Sequence, residues 1–228
     1  MQLSRETCRV LGSLVVPLVL AGCAAKPNTP DALNRLYQQS IAAAAVKSPD
    51  YARPLKPIDT SKTVVTVAHI QPYPTIDTTR FIWVTNPEEL RALCRGKPDP
   101  LLAMQQALGL PPERRDDVRV FTFEVRPSDM FRPCASSPDI TTTECSVELQ
   151  TQPIAAQAAA EHFVLKQMMD SYRTGFNGPG YPFTAMGWSY DWDPLSLTHQ
   201  GVSEYVLRPG AVIGNVTSVA PQTFCGAS

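Results

Sequence analysis

Apolar residues recur with helical spacing over residues 29–45, directly before a segment rich in proline. Thr29 can cap this helix, Pro30 suits its first position and Asp31 lies in its first turn. One apolar stripe contains Leu33, Leu36, Tyr37, Ile41 and Ala44. We expect the helix either to pack on the body of the protein or to form a stalk, with residues 48–60 running extended after it.

The same spacing, together with capping residues, predicts three further helices. Asn86-Pro87-Glu88-Glu89 has the order of an N-cap, a first-position proline and a capping-box glutamate. Asp99-Pro100 begins a helix that Gly109 ends. The longest helix is predicted over residues 154–173, and its apolar stripe would contain Ile154, Ala158, Leu165, Met168 and Tyr172.

Alternating or continuous apolar runs predict strands in the rest of the chain. The run at 80–85 is apolar on both faces, so we expect it to be a central strand. The other predicted strands cover residues 63–69, 118–126, 184–191, 202–208 and 211–219. Because helices and strands follow one another without regular alternation, the pattern predicts an α+β fold with a mostly antiparallel sheet.

Composition and charge indicate the number of domains and argue against one class of partner, nucleic acids. The chain has 22 prolines among 228 residues, which indicates many loops and short elements. We expect one globular domain over residues 62–228, preceded by the N-terminal helical arm. The 20 basic and 21 acidic side chains nearly cancel and form no basic run, which argues against a nucleic-acid partner.

The N-terminal residues combine a basic start with a short apolar run. Arg5 and Arg9 precede the run, and its residues 11–20 are too few to span a bilayer. The tetrapeptide Leu20-Ala21-Gly22-Cys23 ends this run. This order resembles the lipobox signal peptide of bacterial lipoproteins.

The resemblance implies an address for the protein. In that class the cysteine of the box receives a diacylglyceryl thioether, the preceding peptide is cleaved, and the new amino group is acylated. Residues 1–22 would then be a signal peptide, and residues 23–61 a tether attached to the lipid bilayer through Cys23. Ala24, rather than Asp, as the second mature residue implies the outer membrane, with the domain facing the periplasm. The cleaved chain would carry a formal charge of −2.

Cysteine content fits an oxidising compartment. After removal of Cys8 and lipidation of Cys23, an even number of cysteines remains, which allows three disulfide connectivities. We favour Cys134 with Cys145 across a short loop, and Cys94 with Cys225 to tie down the C-terminus. The alternative is a metal site, but no Cys-x2-Cys or Cys-x2-His spacing occurs, so neither a metal nor another cofactor is predicted.

Aromatic and acidic side chains are concentrated between residues 181 and 205. Aromatic faces beside carboxylates could bind a glycan, and the structural alternative is a core strand followed by an Asx turn. As acid–base candidates for a hydrolase we single out Asp191, Asp193, His199 and Glu204.

Three segments resemble uncharacterised proteobacterial envelope proteins, namely residues 131–134, 187–192 and 201–205. This resemblance implies no activity. We therefore expect a membrane-anchored periplasmic lipoprotein that binds an envelope protein or a glycan, or that assists envelope assembly. The less favoured alternative is an envelope hydrolase acting on a glycan or a peptide. A concave pocket that holds two of the four acid–base candidates would favour the hydrolase.

Overall fold

The computed structural model describes residues 29–46, 52–113, 115–146, 148, 155–172 and 180–226. The predicted signal peptide, Cys23 and Ala24 lie outside these residues. Among the described helices, none combines the length and the apolar character that a bilayer crossing needs.

An antiparallel sheet of seven strands forms the centre of the described chain, which confirms the α+β prediction. Its main path runs β4-β6-β2-β1-β3-β7, and β5 pairs with β6 beside that path. The strands are β1 (Val65–Gln71), β2 (Ile82–Thr85), β3 (Arg119–Val125), β4 (Met130–Phe131), β5 (Trp188–Tyr190), β6 (Gln200–Leu207) and β7 (Ile213–Val219). Strand β2 lies between β6 and β1, as its two apolar faces predict.

The strand predicted over 184–191 is shorter in the structure. In this stretch the strand covers only Trp188–Tyr190 (β5), which pairs with β6, and Met186 before it forms an isolated bridge with Cys134. Ala185 and Gly187 have φ values of 54° and 73°, in the left-handed region, which interrupts extended backbone.

In the ranges that the structure describes, five α-helices accompany the sheet: α1 (Pro30–Ala45), α2 (Pro87–Cys94), α3 (Pro100–Ala107), α4 (Ala158–Tyr172) and α5 (Pro221–Cys225). Thr29, Asn86 and Asp99 cap α1, α2 and α3 with their side-chain oxygens, as the sequence predicts. Glu89 differs from its capping-box prediction. Its carboxylate accepts hydrogen bonds from the backbone N–H and the hydroxyl of Ser203, so it links α2 to β6.

The two faces of the sheet are covered differently. Alternate side chains such as Val67, Phe123 and Tyr205 point to one face, where Ile58 and Ile140 from loops cover them. On the opposite face, α2, α3 and α5 share a core with β1 and β6. Helix α4 packs on the same face through an aromatic cluster with β2 and β4.

Helix α1 packs on the body, which decides between the two alternatives for the arm. Its apolar stripe is buried against the residues of β5 and against Trp192. The extended segment after it also joins the body, because the backbone N–H groups of Leu55 and Ile58 donate to the carbonyls of Thr143 and Ile140.

Helix α4 buries only part of the predicted stripe, since Met168 packs, half-buried, against the aromatic cluster. Leu165 is 46% exposed and Ala158 is exposed, whereas Phe163 and Val164 are buried. Phe163 packs 5.3 Å from Phe131 and 5.6 Å from Trp83, measured between ring centroids. This aromatic packing sets the rotation of the helix. Ile154 and the side chain of Tyr172 lie outside the described part.

Both disulfides occur with the favoured pairing. Cys94 and Cys225 are bonded with an S–S distance of 2.11 Å, and Cys134 and Cys145 with one of 1.98 Å. The long link joins the end of α2 to α5, and the short link closes a loop beside β4. In the chain-entropy model such links contribute about 5 and about 3 kcal/mol respectively.

Arg132, directly after β4, is fully buried. Its Nη2 lies 2.7 Å from the carbonyl oxygen of Lys56, 3.2 Å from that of Ile140 and 3.3 Å from that of Thr142. The guanidinium also lies 4.7 Å from the centroid of the Tyr205 ring, whose hydroxyl donates to the Lys56 carbonyl. One side chain therefore holds the 52–60 segment, the 138–143 loop and β6 together.

We expect Arg132→Lys to lower the free energy of unfolding by about 3 kcal/mol or more. A lysine ammonium has no planar fork, so some of these buried carbonyls would lose their donor. Urea unfolding of the full chain measures the change. Arg119→Lys, at an exposed position on β3, should cost less than about 0.5 kcal/mol. Equal losses from the two variants would contradict the role given to Arg132.

Candidate functional site

Three of the four acid–base candidates lie together in one turn. Asp191 Oδ1 accepts from the Asp193 N–H at 2.9 Å, and Asp193 Oδ1 accepts from the Leu195 N–H at 3.1 Å. His199 Nδ1 donates to the Asp191 carbonyl at 2.8 Å, and its ring stacks on Tyr190 with centroids 5.2 Å apart. These contacts are those of the Asx turn that the structural alternative predicts.

The aromatic residues of the same region are core residues. Trp188 and Trp192 are 1% and 2% exposed, and both pack in the cluster that buries α1. Trp192 Nε1 donates to the Leu110 carbonyl at 2.9 Å. Because their ring faces are covered, these tryptophans do not form a glycan-stacking surface.

Glu204, the fourth candidate, is separated from the other three. It lies in the middle of β6, opposite Thr85 of β2, and it lines a cavity of about 310 Å³ on the helical face of the sheet. Asp191, Asp193 and His199 do not line this cavity. The structure therefore does not bring a second acid–base candidate to Glu204.

The cavity forms where several elements leave a gap over the sheet. Its floor comes from β1, β2 and β6, through residues such as Ala68, Trp83 and Glu204. Its walls come from α1, α2 and α4, from the 108–111 segment and from the 181–183 segment. Gly109 ends α3 with a φ of 64°, and a Cβ at this position would lie 3.0 Å from Pro182 Cγ. Glycine there lets the two wall segments approach each other.

Most lining groups are apolar, and among the polar ones Thr85, Tyr181 and His69 have partners in the protein. Thr85 Oγ1 donates to the Ser203 carbonyl at 2.8 Å, and the Tyr181 hydroxyl donates to Gln167 Oε1. His69 Nδ1 lies 2.8 Å from the Trp83 carbonyl oxygen, and its Nε2 lies 3.0 Å from Gln71 Oε1. Burial lowers the pKa of His69, so the ring is unsuited to hold a proton for a reaction at this site.

Glu204 differs from Thr85, Tyr181 and His69. None of the described residues donates a hydrogen bond to its carboxyl group, and it is the one acidic residue among those that line the cavity. Burial raises the pKa of Glu204 to about 8, and the charge of Arg132 opposes this shift only in part. The carboxyl group is therefore mostly protonated at pH 7.

This arrangement fits binding better than hydrolysis. A glycosidase of the common type needs two carboxyl groups on opposite sides of one bond, and the cavity offers Glu204 alone. Within the described ranges no three His, Cys, Asp or Glu side chains converge on a possible metal position. A mostly apolar cavity with a few polar groups is typical of a small-molecule binding site.

The sequence singles out Glu204, but for acid–base chemistry, and it does not indicate that Trp83 lines a cavity. A signal for Glu204 exists in the strand pattern. Val202, Glu204 and Val206 share one face of β6, so an acidic residue replaces an apolar one on a face that the neighbouring positions bury. Such a replacement in a buried strand indicates a polar group inside the protein.

We expect Glu204→Gln to become more stable relative to the wild type as the pH rises. The unfolded chain loses the Glu204 proton near pH 4.5, whereas the folded chain retains it to about pH 8. The contribution of Glu204 to the free energy of unfolding of the wild type is therefore fully present below about pH 4.5 and is lost as the pH rises to about 8. Glutamine has no such proton.

Urea unfolding at pH 5, 6.5 and 8.5 measures this effect. The difference between Glu204→Gln and wild type should grow by about 3 kcal/mol, after allowance for the partial exposure of the side chain, and should level off above pH 8. Glu144→Gln, at an exposed position, is the matched control and should show little change with pH. A constant difference for Glu204→Gln would contradict the raised pKa.

Searches against known proteins add no relative: no family model, no curated protein and no solved structure matches this chain.

Proposed function

We propose that this chain is a lipid-anchored protein of the bacterial cell envelope whose folded domain binds a small, largely apolar ligand. The cavity over β1, β2 and β6 is the observation that carries the binding function. Its volume of about 310 Å³ is at the lower end of the range for ligand pockets, which favours a small molecule over a glycan chain or a peptide.

The envelope location is supported by two features of different kinds. Leu20-Ala21-Gly22-Cys23 resembles a lipobox, and acylation at Cys23 would hold the domain at the bilayer. The structure contains two disulfides. Disulfides persist in an oxidising compartment such as the periplasm and are rare in cytosolic proteins. We place the domain on the periplasmic side of the outer membrane.

An assembly role for the arm has less support. The apolar stripe of α1 is buried on the body, so it does not offer a free face to a partner protein. A hydrolase has less support still, because the cavity offers no second carboxyl group beside Glu204, and burial lowers the pKa of His69. Binding in the cavity is therefore the function that we put forward for test.

Metabolic labelling with palmitate tests the lipid anchor. We expect wild-type protein to incorporate the label in bacterial cells and Cys23→Ala to incorporate none, because Cys23 would supply the acylated sulfur. Cys8→Ala is the matched control and should be labelled like wild type, since Cys8 lies in the predicted signal peptide. Equal labelling of Cys23→Ala and wild type would contradict the anchor.

Calorimetric titration with 4-phenylbutanol tests the cavity. The full chain is held in phosphatidylcholine nanodiscs, and empty nanodiscs supply the blank. We expect Leu110→Trp to weaken binding at least tenfold, because Leu110 lines the cavity and the larger indole would occupy its volume. Circular dichroism checks that the variant is folded.

Leu195→Trp is the control for this titration, because Leu195 is 67% exposed and does not line the cavity. It should bind the alcohol as wild type does. Absence of binding by wild type above the blank would contradict the proposed function. Equal binding by folded Leu110→Trp and wild type would contradict the location of the site.

A further inference from the structure

The Glu204 carboxyl group is placed where a ligand, rather than the protein, can satisfy it. Three other polar residues of the cavity, Thr85, His69 and Tyr181, are engaged with protein atoms. No described residue donates to Glu204, although it lines the cavity directly. Glu204 is half-buried, and a carboxyl group partly withdrawn from water favours either a bound proton or a positive partner.

Arg132 does not supply that partner. Its guanidinium packs on Tyr205, and successive side chains of β6 point to opposite faces of the sheet. Its shortest hydrogen bond goes to the carbonyl oxygen of Lys56, with others to loop carbonyls on the same side. The positive charge therefore acts on Glu204 at a distance, and its donors remain on the other face.

The rest of the cavity lining also favours a positive group. Trp83, Tyr181 and Phe183 line it as a cluster, with ring centroids 5.7 to 6.5 Å apart. Aromatic faces attract cations, and the attraction increases where water is excluded. No lysine or arginine is among the lining residues, so the described part of the chain brings no competing positive side chain into the cavity.

We propose that the ligand is an apolar amine, whose ammonium group pairs with the Glu204 carboxylate while its apolar part lies against Trp83, Tyr181 and Phe183. This inference rests on the proposed binding function and names the chemical class of its ligand. A neutral ligand that accepts a hydrogen bond from the protonated carboxyl group is the competing possibility, and the test below separates the two.

Pairing with an ammonium group changes the protonation of the site in a defined way. Below about pH 8 the free protein carries the Glu204 proton, and the bound ammonium favours the carboxylate. Binding therefore releases one proton to solvent, and the ligand keeps its own. Affinity for the amine should rise as the pH approaches 8, by up to tenfold per unit, whereas affinity for a neutral ligand should not rise.

The test compares 4-phenylbutylamine with 4-phenylbutanol, which share one apolar body. Both are titrated calorimetrically into the full chain in phosphatidylcholine nanodiscs, with empty nanodiscs as the blank, at pH 6.5 and 8.5. An alkylammonium group remains charged across this range. We expect wild type at pH 8.5 to bind the amine at least tenfold more tightly than the alcohol.

Glu204→Gln separates the charge from the shape of the cavity. We expect this variant to lose the preference for the amine, so that it binds the amine and the alcohol within about threefold of each other, since glutamine retains the side-chain volume without the charge. Glu144→Gln, the exposed control, should keep the preference. Titration of wild type at pH 6.5 in two buffers of different ionisation enthalpy should show release of close to one proton with the amine and none with the alcohol.

Each other outcome has a definite meaning. Equal or tighter binding of the alcohol by wild type would overturn the amine inference and leave the binding function in place. An amine preference that persists in Glu204→Gln would overturn the role of Glu204. If neither compound binds above the blank, the proposed function itself fails.

Discussion

The buried guanidinium of Arg132 is the interaction on which the rest of the structure depends. A fully buried positive charge is costly unless its donors are satisfied, and here backbone carbonyls satisfy them. The carbonyls come from segments distant in sequence, so the charge can be accommodated only when those segments are in their native places. A Cβ at Gly187, where φ is 73°, would lie 2.8 Å from Arg132 Cδ, so this turn also requires glycine.

Strand β6 connects this structural charge with the candidate site. Tyr205 packs on Arg132 on one face, and Glu204 points into the cavity on the other. Trp83 and Thr85 of β2 pair with Val206 and Glu204 and continue the cavity floor. A shift of β6 by one residue would exchange the two faces, so the contacts of Tyr205 with Arg132 and Lys56 also fix the position of Glu204.

Much of the fold could be predicted because local signals carry it. The caps at Asn86 and Asp99 depend on neighbours within three residues, and the central place of β2 follows from its own apolar pattern. The face of α4 could not be predicted in this way, since contacts of Phe163 with Phe131 and Trp83 decide it. The cavity depends on even more distant segments, so the sequence could single out Glu204 but not the groups around it.

The short disulfide and Arg132 act on the same loop, which links the oxidation state of the protein to its core. Cys134 and Cys145 close the stretch that contains Asp139, Ile140 and Thr142, and the carbonyls of these three residues face the guanidinium. Closing a short loop restricts the unfolded chain, and it also limits how far these carbonyls can move from the charge in the folded state. In an oxidising compartment the loop is therefore held in place for Arg132. The buried charge then holds β6 and, through it, the cavity.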